Sequence, residues 1–110
     1  MRTQRRELGE FGERLAAAVL ARRGVSIVGR NRRVGRGEID LVGTCGTARF
    51  LIEVRTVRGD AHVEERFPHA KLSQLRALGS AIGIHRVDLV AVSIRPSGVE
   101  VRWLRDVATS

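Results

Sequence analysis

The sequence predicts an α/β fold with the order helix, three strands, helix and two strands. Apolar residues recur at three- and four-residue spacing in two segments, and polar and apolar residues alternate in the segments around them. A chain of 110 residues and 12.1 kDa can bury one core of useful size. We therefore expect a single domain over residues 1–110 with a short, loose C-terminal tail.

The apolar spacing predicts both helices. The first covers about residues 6–23 and ends before Gly24, and its apolar stripe holds Leu8, Phe11, Leu15 and Val19. The second has Pro68 in its first turn, where proline is well tolerated. Its buried stripe is expected to contain Leu72, Leu75, Leu78, Gly79 and Ile82.

Five strands account for the remaining apolar segments: 25–33, 37–44, 48–57, 87–94 and 99–104. Short turns join the first three, which indicates a three-strand meander, and the polar loop 58–66 follows them. In the second strand we expect Ile39 and Leu41 on the face opposite Glu38, Asp40 and Val42. The fourth strand is almost continuously apolar, which is typical of a strand covered on both faces. Parallel pairing with the third strand, across the second helix, gives a mixed sheet with one parallel crossover.

The charge is large and uneven. The chain carries a net charge of +8, and 19 of its 20 basic residues are arginine. Residues 1–36 hold ten arginines against three glutamates, whereas the rest of the chain is nearly neutral. A basic first third favours a polyanionic partner, and we expect Arg30, Arg32, Arg33 and Arg36 to contact nucleic acid.

The composition also disfavours several classes of protein. Four aromatic residues are too few for recognition that stacks several splayed bases, so a nucleic-acid partner would be bound through its backbone or shape. A single cysteine, Cys45, and the lack of a long apolar run favour a cytoplasmic protein without a membrane segment.

Two segments of the predicted hairpin, 37–41 and 52–56, carry the residues that suggest chemistry. In an antiparallel hairpin with an even-numbered turn, Asp40 and Glu53 share a face. Opposed β carbons there lie only ~5 Å apart, and two like charges so close need a cation between them. Mg²⁺ is commonly held by one or two carboxylates together with phosphate oxygens and water. A cross-strand charge cluster on a solvated face is the alternative interpretation.

Three further residues bear on this choice. Arg55 returns to the face of Glu53 and would stand beside the metal, aimed at a bound phosphate. Glu13 lies at the edge of the first helix's apolar stripe. Lys71 lies in the first turn of the second helix, where a cation opposes the helix dipole. Its ammonium group either reaches the carboxylates or extends into water.

Other polar residues carry weaker signals. His62, His69 and His85 lack the spacing of zinc ligands and are expected to be structural or on the surface. Asp88 opens a buried strand and is expected to be a satisfied charge at the strand's end, with support of the site as the alternative. We expect no role for Cys45 at the hairpin tip.

These motifs together resemble the YraN-like uncharacterised bacterial proteins, predicted members of the PD-(D/E)XK nuclease superfamily. The resemblance spans nearly the whole chain and rests on segments 12–16, 31–33, 37–41, 53–56, Lys71 and 87–88. It implies a restriction-endonuclease-like core with Asp40 and Glu53 as metal ligands and Glu13 as an additional ligand or metal-water contact. Arg55 occupies the position where the superfamily motif has lysine, and Lys71 is a second candidate for that cation.

The resemblance implies an endonuclease that uses Mg²⁺ or Mn²⁺ to hydrolyse DNA, with branched DNA among the substrates to consider. A nucleic-acid-binding module that keeps the fold but has lost turnover is the alternative, because arginine cannot act as a base. A protein-interaction domain with incidental charge is a third hypothesis. A homodimer is implied only by analogy with Holliday-junction resolvases.

Overall fold

The computed structural model describes residues 3–59 and 67–107, and it confirms the predicted order of helix, three strands, helix and two strands. Two helices and five strands make up this part of the chain: α1 (Gln4–Arg22), β1 (Ser26–Val34), β2 (Gly37–Cys45), β3 (Ala48–Arg58), α2 (His69–Ala81), β4 (Arg86–Arg95) and β5 (Gly98–Leu104). Most of the predicted polar loop lies outside the described residues, and so do the last three residues of the expected tail.

The five strands form one mixed sheet in the order β1-β2-β3-β4-β5. The pairs β1/β2, β2/β3 and β4/β5 are antiparallel, whereas β3 and β4 are parallel. The predicted meander and parallel crossover are therefore confirmed, and the fold class is that of the restriction-endonuclease-like core.

The helices cover opposite faces of the sheet. α1 packs its small residues and Leu20 against Phe50, Ile52 and Val90. On the other face, Leu75 of α2 packs against Leu51 and Val87. This arrangement buries β3 and β4 on both sides, which explains why the sequence of β4 is almost continuously apolar.

Helix α1 begins two residues before the predicted start and ends one residue before the predicted end. The hydroxyl of Thr3 accepts a hydrogen bond from the backbone N–H of Arg6, which caps the first turn. At the other end Gly24 has φ +90°, a left-handed conformation that glycine adopts at little cost. None of the described helices has the length and hydropathy of a membrane-spanning helix.

The deepest face of α1 differs from the predicted stripe. Gly12, Ala16, Ala17 and Leu20 are buried, whereas Phe11 is 38% exposed and Leu8, Leu15 and Val19 are half-buried. Small side chains let the helix approach the sheet closely, so it rests on its glycine and alanine face. A β carbon on Gly12 would overlap the side chain of Thr56 in β3.

The predicted alternation of β2 is wrong at one point. Leu41 packs in the cluster under α1, but Ile39 packs with Val42 in the cluster under α2. Ile39 and Leu41 therefore do not share a face, and the alternation is interrupted at the residue between them, Asp40. Opposite this irregularity, Asn31 of β1 has φ 49°, far from the extended strand conformation.

We predict that Gly12→Ala destabilises the protein by about 1–3 kcal/mol, because the new methyl group forces α1 and β3 apart. Gly9→Ala in the same helix is the matched control, since nothing lies within 4 Å of its β carbon. Urea unfolding should show the control to be neutral or more stable by up to about 1 kcal/mol. Equal stability of the two variants would contradict the close packing of α1 on β3.

Candidate active site

Asp40 and Glu53 meet where β2 and β3 stop pairing. The ladder begins with Cys45 opposite Ala48, next to the turn, and ends with Leu41 opposite Ile52. Continued by one position, the same register places Asp40 opposite Glu53. The closeness that the sequence predicts for these two carboxylates is thus a direct consequence of the hairpin register.

The Asp40 side chain replaces a strand partner at this point. Its Oδ2 accepts a hydrogen bond of 2.9 Å from the backbone N–H of Val54, the residue after Glu53. A buried strand N–H needs an acceptor, and here a carboxylate provides it. The bond fixes the Asp40 carboxylate beside Glu53.

Glu13 brings a third carboxylate from α1. The close approach of α1 at Gly12 places the next residue, Glu13, above the end of the β2/β3 pairing. Glu13 and Glu53 each lie within reach of a side-chain hydrogen bond with Asp40. Asp40 therefore stands between two other carboxyl groups, one from the helix and one from the neighbouring strand.

This crowding changes the protonation of both glutamates. Burial, followed by the hydrogen bond and charge of Asp40, raises the pKa of Glu53 from 4.5 to about 8. Burial, followed by the charge of Asp40, raises the pKa of Glu13 to about 7. Two carboxyl groups that resist ionisation near neutral pH are a source of instability, which a bound cation would relieve.

Two cations contact the same oxygen of Glu53. Arg55 Nε and Lys71 Nζ each lie 3.8 Å from Glu53 Oε2, so the ammonium group of Lys71 does reach the carboxylates. The Arg55 guanidinium also lies over the ring of Phe67, at 5.0 Å from its centroid. These cations lower the pKa of Glu53, but burial and Asp40 have the larger effect.

A cleft between α1 and β1 opens beside Glu13. It consists of two adjoining spaces of about 380 and 260 Å³, both lined by Glu10, Glu13 and Asn31. The larger space also contacts Glu38, whose charge contributes to the raised pKa of Glu13. Of the three clustered carboxylates, Glu13 is thus the one that lines the cleft on the α1 side of the sheet.

The four predicted nucleic-acid-binding arginines lie on β1 and the turn after it. Arg30, Arg32, Arg33 and Arg36 are all exposed, and β1 is an edge strand of the sheet. Arg30 lines the smaller space beside Glu13, whereas Arg33 pairs in register with Glu38. The structure brings Arg30 to the space beside Glu13, and the other three lie along the same edge.

Asp88 is completely buried and satisfied by its neighbours. Arg86 donates two hydrogen bonds to its carboxylate, and the Trp103 indole and the Asp106 backbone N–H donate one each. All of these donors belong to β4 or the chain after it, so Asp88 joins the C-terminal segment to the sheet.

Of the remaining polar residues, Cys45, His69 and His85 are exposed, whereas His62 lies outside the described residues.

Sequence reasoning missed two features of the site. Phe67 was not expected to hold Arg55, because cation–aromatic contacts between distant residues leave no pattern in a sequence. The left-handed backbone of Asn31 is likewise not predicted, although asparagine is one of the few residues that tolerates this conformation.

Comparisons with known proteins show the family to which the chain belongs. The model of "Uncharacterised protein family UPF0102" matches residues 12–92, a range that contains all three carboxylates and both cations. The chain belongs to the UPF0102 family. A UPF0102 protein of Chloroflexus aurantiacus is 41% identical over 104 residues, covering 86% of each chain. One from Renibacterium salmoninarum is 43% identical over 106 residues, covering 87% of this chain and 89% of its own.

A solved structure shares the fold of this UPF0102 protein. The crystal structure of SSO0001 aligns with a TM-score of 0.52 and 16% identity, and the match covers 94% of this chain and 53% of that chain. At this identity the likeness concerns the fold alone. It agrees with the arrangement of helices and mixed sheet described above.

We predict that Glu53→Gln weakens the pH dependence of stability. The folded protein retains protons on Glu53 and Glu13 that the unfolded chain releases above about pH 4.5. Unfolding free energy should therefore fall as the pH rises from about 5 to 8. At pH 8, in metal-free buffer, Glu53→Gln should be about 1–3 kcal/mol more stable than the wild type.

The exposed residue Glu100 on β5 provides the control for this experiment. Glu100→Gln should not reproduce the gain in stability at pH 8, because it removes a carboxylate that forms ion pairs with Arg95 and Arg102. A Glu53→Gln protein that is less stable than the wild type at pH 8 would show that the ion pairs of Glu53 outweigh its burial.

Proposed function

We propose that this UPF0102 protein is a divalent-metal-dependent endonuclease that hydrolyses phosphodiester bonds in DNA. The supporting observation is the convergence of Glu13, Asp40 and Glu53, from three different elements, beside the cations Arg55 and Lys71. The resemblance to the PD-(D/E)XK superfamily independently implies the same ligands. Branched DNA is the substrate class to test first, because the related resolvases act on it.

The donor set fits a hard divalent cation. Carboxylate oxygens are the ligands that Mg²⁺ and Mn²⁺ take from proteins, and these carboxyl groups repel each other when ionised. Within residues 3–59 and 67–107 no three His, Cys, Asp or Glu side chains already have the geometry of a metal site. The carboxyl groups are instead arranged to share protons, so metal binding would displace protons and turn their oxygens toward the ion.

The chain's own residues have distinct tasks in this proposal. Glu13, Asp40 and Glu53 would hold the ion, which supplies charge neutralisation at the phosphate and lowers the pKa of water. Val54 keeps Asp40 in place through its backbone N–H. Arg55 and Lys71 offer positive charge next to Glu53, where they can stabilise the negative charge that develops on the phosphate.

Lys71 is well placed to replace the lysine of the superfamily motif. Its Nζ and the Nε of Arg55 lie at the same distance, 3.8 Å, from the same oxygen of Glu53. Unlike the planar guanidinium of arginine, a lysine ammonium group is a compact charge on a flexible stem. With Arg55 in the place of the motif lysine, Lys71 supplies a lysine ammonium group at the site.

A catalytically inactive nucleic-acid-binding module is the second candidate. Arg55 favours it, because an arginine in the place of the motif lysine can bind a phosphate but cannot act as a base, and Phe67 contacts its guanidinium. In both candidates the arginines of β1 would hold the phosphate backbone. Affinity for DNA should then fall steeply with salt concentration.

We predict that Asp40→Asn reduces DNA cleavage at least ~100-fold while leaving binding in metal-free buffer within about threefold of the wild type. Asparagine can still accept the Val54 hydrogen bond, so the local structure should persist. Linear, nicked and four-way-junction DNA should be compared in Mg²⁺ and in Mn²⁺. Glu100→Gln, which removes one negative charge far from the cluster, should cleave like the wild type. Persistent cleavage by Asp40→Asn would refute the assigned site.

Arg55→Lys separates the two candidate functions. If Lys71 already serves as the catalytic cation, Arg55→Lys should change the cleavage rate by less than about threefold. Arg58→Lys, the same substitution at an exposed position of β3, is the control. Activity gained from an inert parent would instead favour the binding module, because it would show that the motif lysine had been lost.

A further inference from the structure

We propose that Asn31 contacts the substrate: its side-chain amide binds a phosphate group of the nucleic-acid backbone in the cleft between α1 and β1. The inference rests on the proposed function and adds a residue to that site on the Glu13 side. It also gives a function to the left-handed backbone at Asn31, an irregularity that the sheet itself does not require.

The register places Asn31 at the carboxylate cluster. Arg30 pairs with Leu41 and Arg32 pairs with Ile39, so Asn31 lies across from Asp40. It also lines both spaces of the cleft together with Glu13. A group bound beside Glu13 in either space would therefore meet Asn31.

The left-handed backbone at position 31 does not require an asparagine side chain. Eight described residues have positive φ, and six of them are glycine. Asn31, with φ 49°, and Asp106, with φ 54°, are the exceptions. Glycine would adopt this conformation at lower cost, and the chain uses glycine at nearby Gly35. The asparagine therefore retains a side chain at a position where the backbone favours none.

An amide suits the electrostatics of this cleft. Glu10, Glu13 and Glu38 line it and repel a phosphate, whereas three arginines that also line it attract one: Arg6, which forms an ion pair with Glu10, Arg14 and Arg30. The asparagine amide offers two N–H donors without adding charge, so it can bind a phosphate oxygen without competing with a cation for the carboxylates. Contacts of this kind fix the position of a nucleic-acid backbone.

Asn31→Gly tests the inference because glycine preserves the backbone and removes only the amide. We expect an unchanged or higher melting temperature. Affinity for a fluorescein-labelled DNA duplex in EDTA should fall about tenfold, the loss expected for a hydrogen bond to a charged group. The factor by which the affinity falls should be the same at every salt concentration, since a neutral amide that binds a phosphate releases no counterions. Cleavage in Mg²⁺ or Mn²⁺ should fall by at least the same factor.

Two controls make the result specific. Asp106→Gly is the matched variant, because it relieves the other left-handed non-glycine residue at a site away from the cleft and should not weaken binding. Arg30→Gln should reduce the slope of log affinity against log salt by about one, as expected for a lost phosphate charge contact.

The outcomes separate this inference from the proposed function. If the wild type binds DNA but cuts none under any condition, the proposed nuclease function fails, and the affinity of Asn31→Gly alone decides the role of Asn31. If Asn31→Gly binds and cuts like the wild type, the residue serves only the backbone and the inference is wrong. A wild type that does not bind DNA even at low salt would overturn both.

Discussion

The hydrogen bond from the Val54 N–H to the Asp40 carboxylate is the interaction on which the site depends. It forms where β2 leaves β3, so a side chain takes the place of a strand carbonyl as acceptor. Once Asp40 is held there, the hairpin register brings Glu53 beside it, and the close packing of α1 at Gly12 brings Glu13 above it. Three carboxyl groups from three elements are thereby concentrated at one point of a rigid sheet.

Bringing these carboxyl groups together destabilises the folded protein, and the surrounding residues compensate for only part of this. The pKa of Glu53 reaches about 8 and that of Glu13 about 7, which means that the metal-free protein is least stable where both must ionise. Arg55 and Lys71 offset only part of this repulsion. Active sites commonly retain such strain, because the group that relieves it is the ligand. The electrostatics of the cluster thus favour the binding of a cation over a purely structural role.

Much of the fold and part of the site could be predicted from the sequence, because they follow from the spacing of apolar residues and from the alternation of side chains along paired strands. The order of the elements, the parallel crossover and the proximity of Asp40 to Glu53 all depend on local patterns that a hairpin register preserves. The buried face of α1 and the interrupted alternation at Asp40 could not be predicted in the same way. The first depends on how closely glycine and alanine let the helix approach β3. The second coincides with the left-handed backbone of Asn31 across the strand pair. Both are consequences of tertiary packing, which single-residue hydrophobicity does not encode.

The most direct test of the central claim, that the carboxylate cluster binds a divalent cation in exchange for protons, is calorimetric titration of the EDTA-treated protein with Mn²⁺ at pH 7. Repeating it in buffers with different ionisation enthalpies measures the protons released. We expect one ion per chain and about one to two protons released per ion, since Glu53 is largely protonated and Glu13 about half protonated at that pH. Saturable binding should disappear in Asp40→Asn. Absence of saturable binding by the wild type, or binding without proton release, would contradict the account.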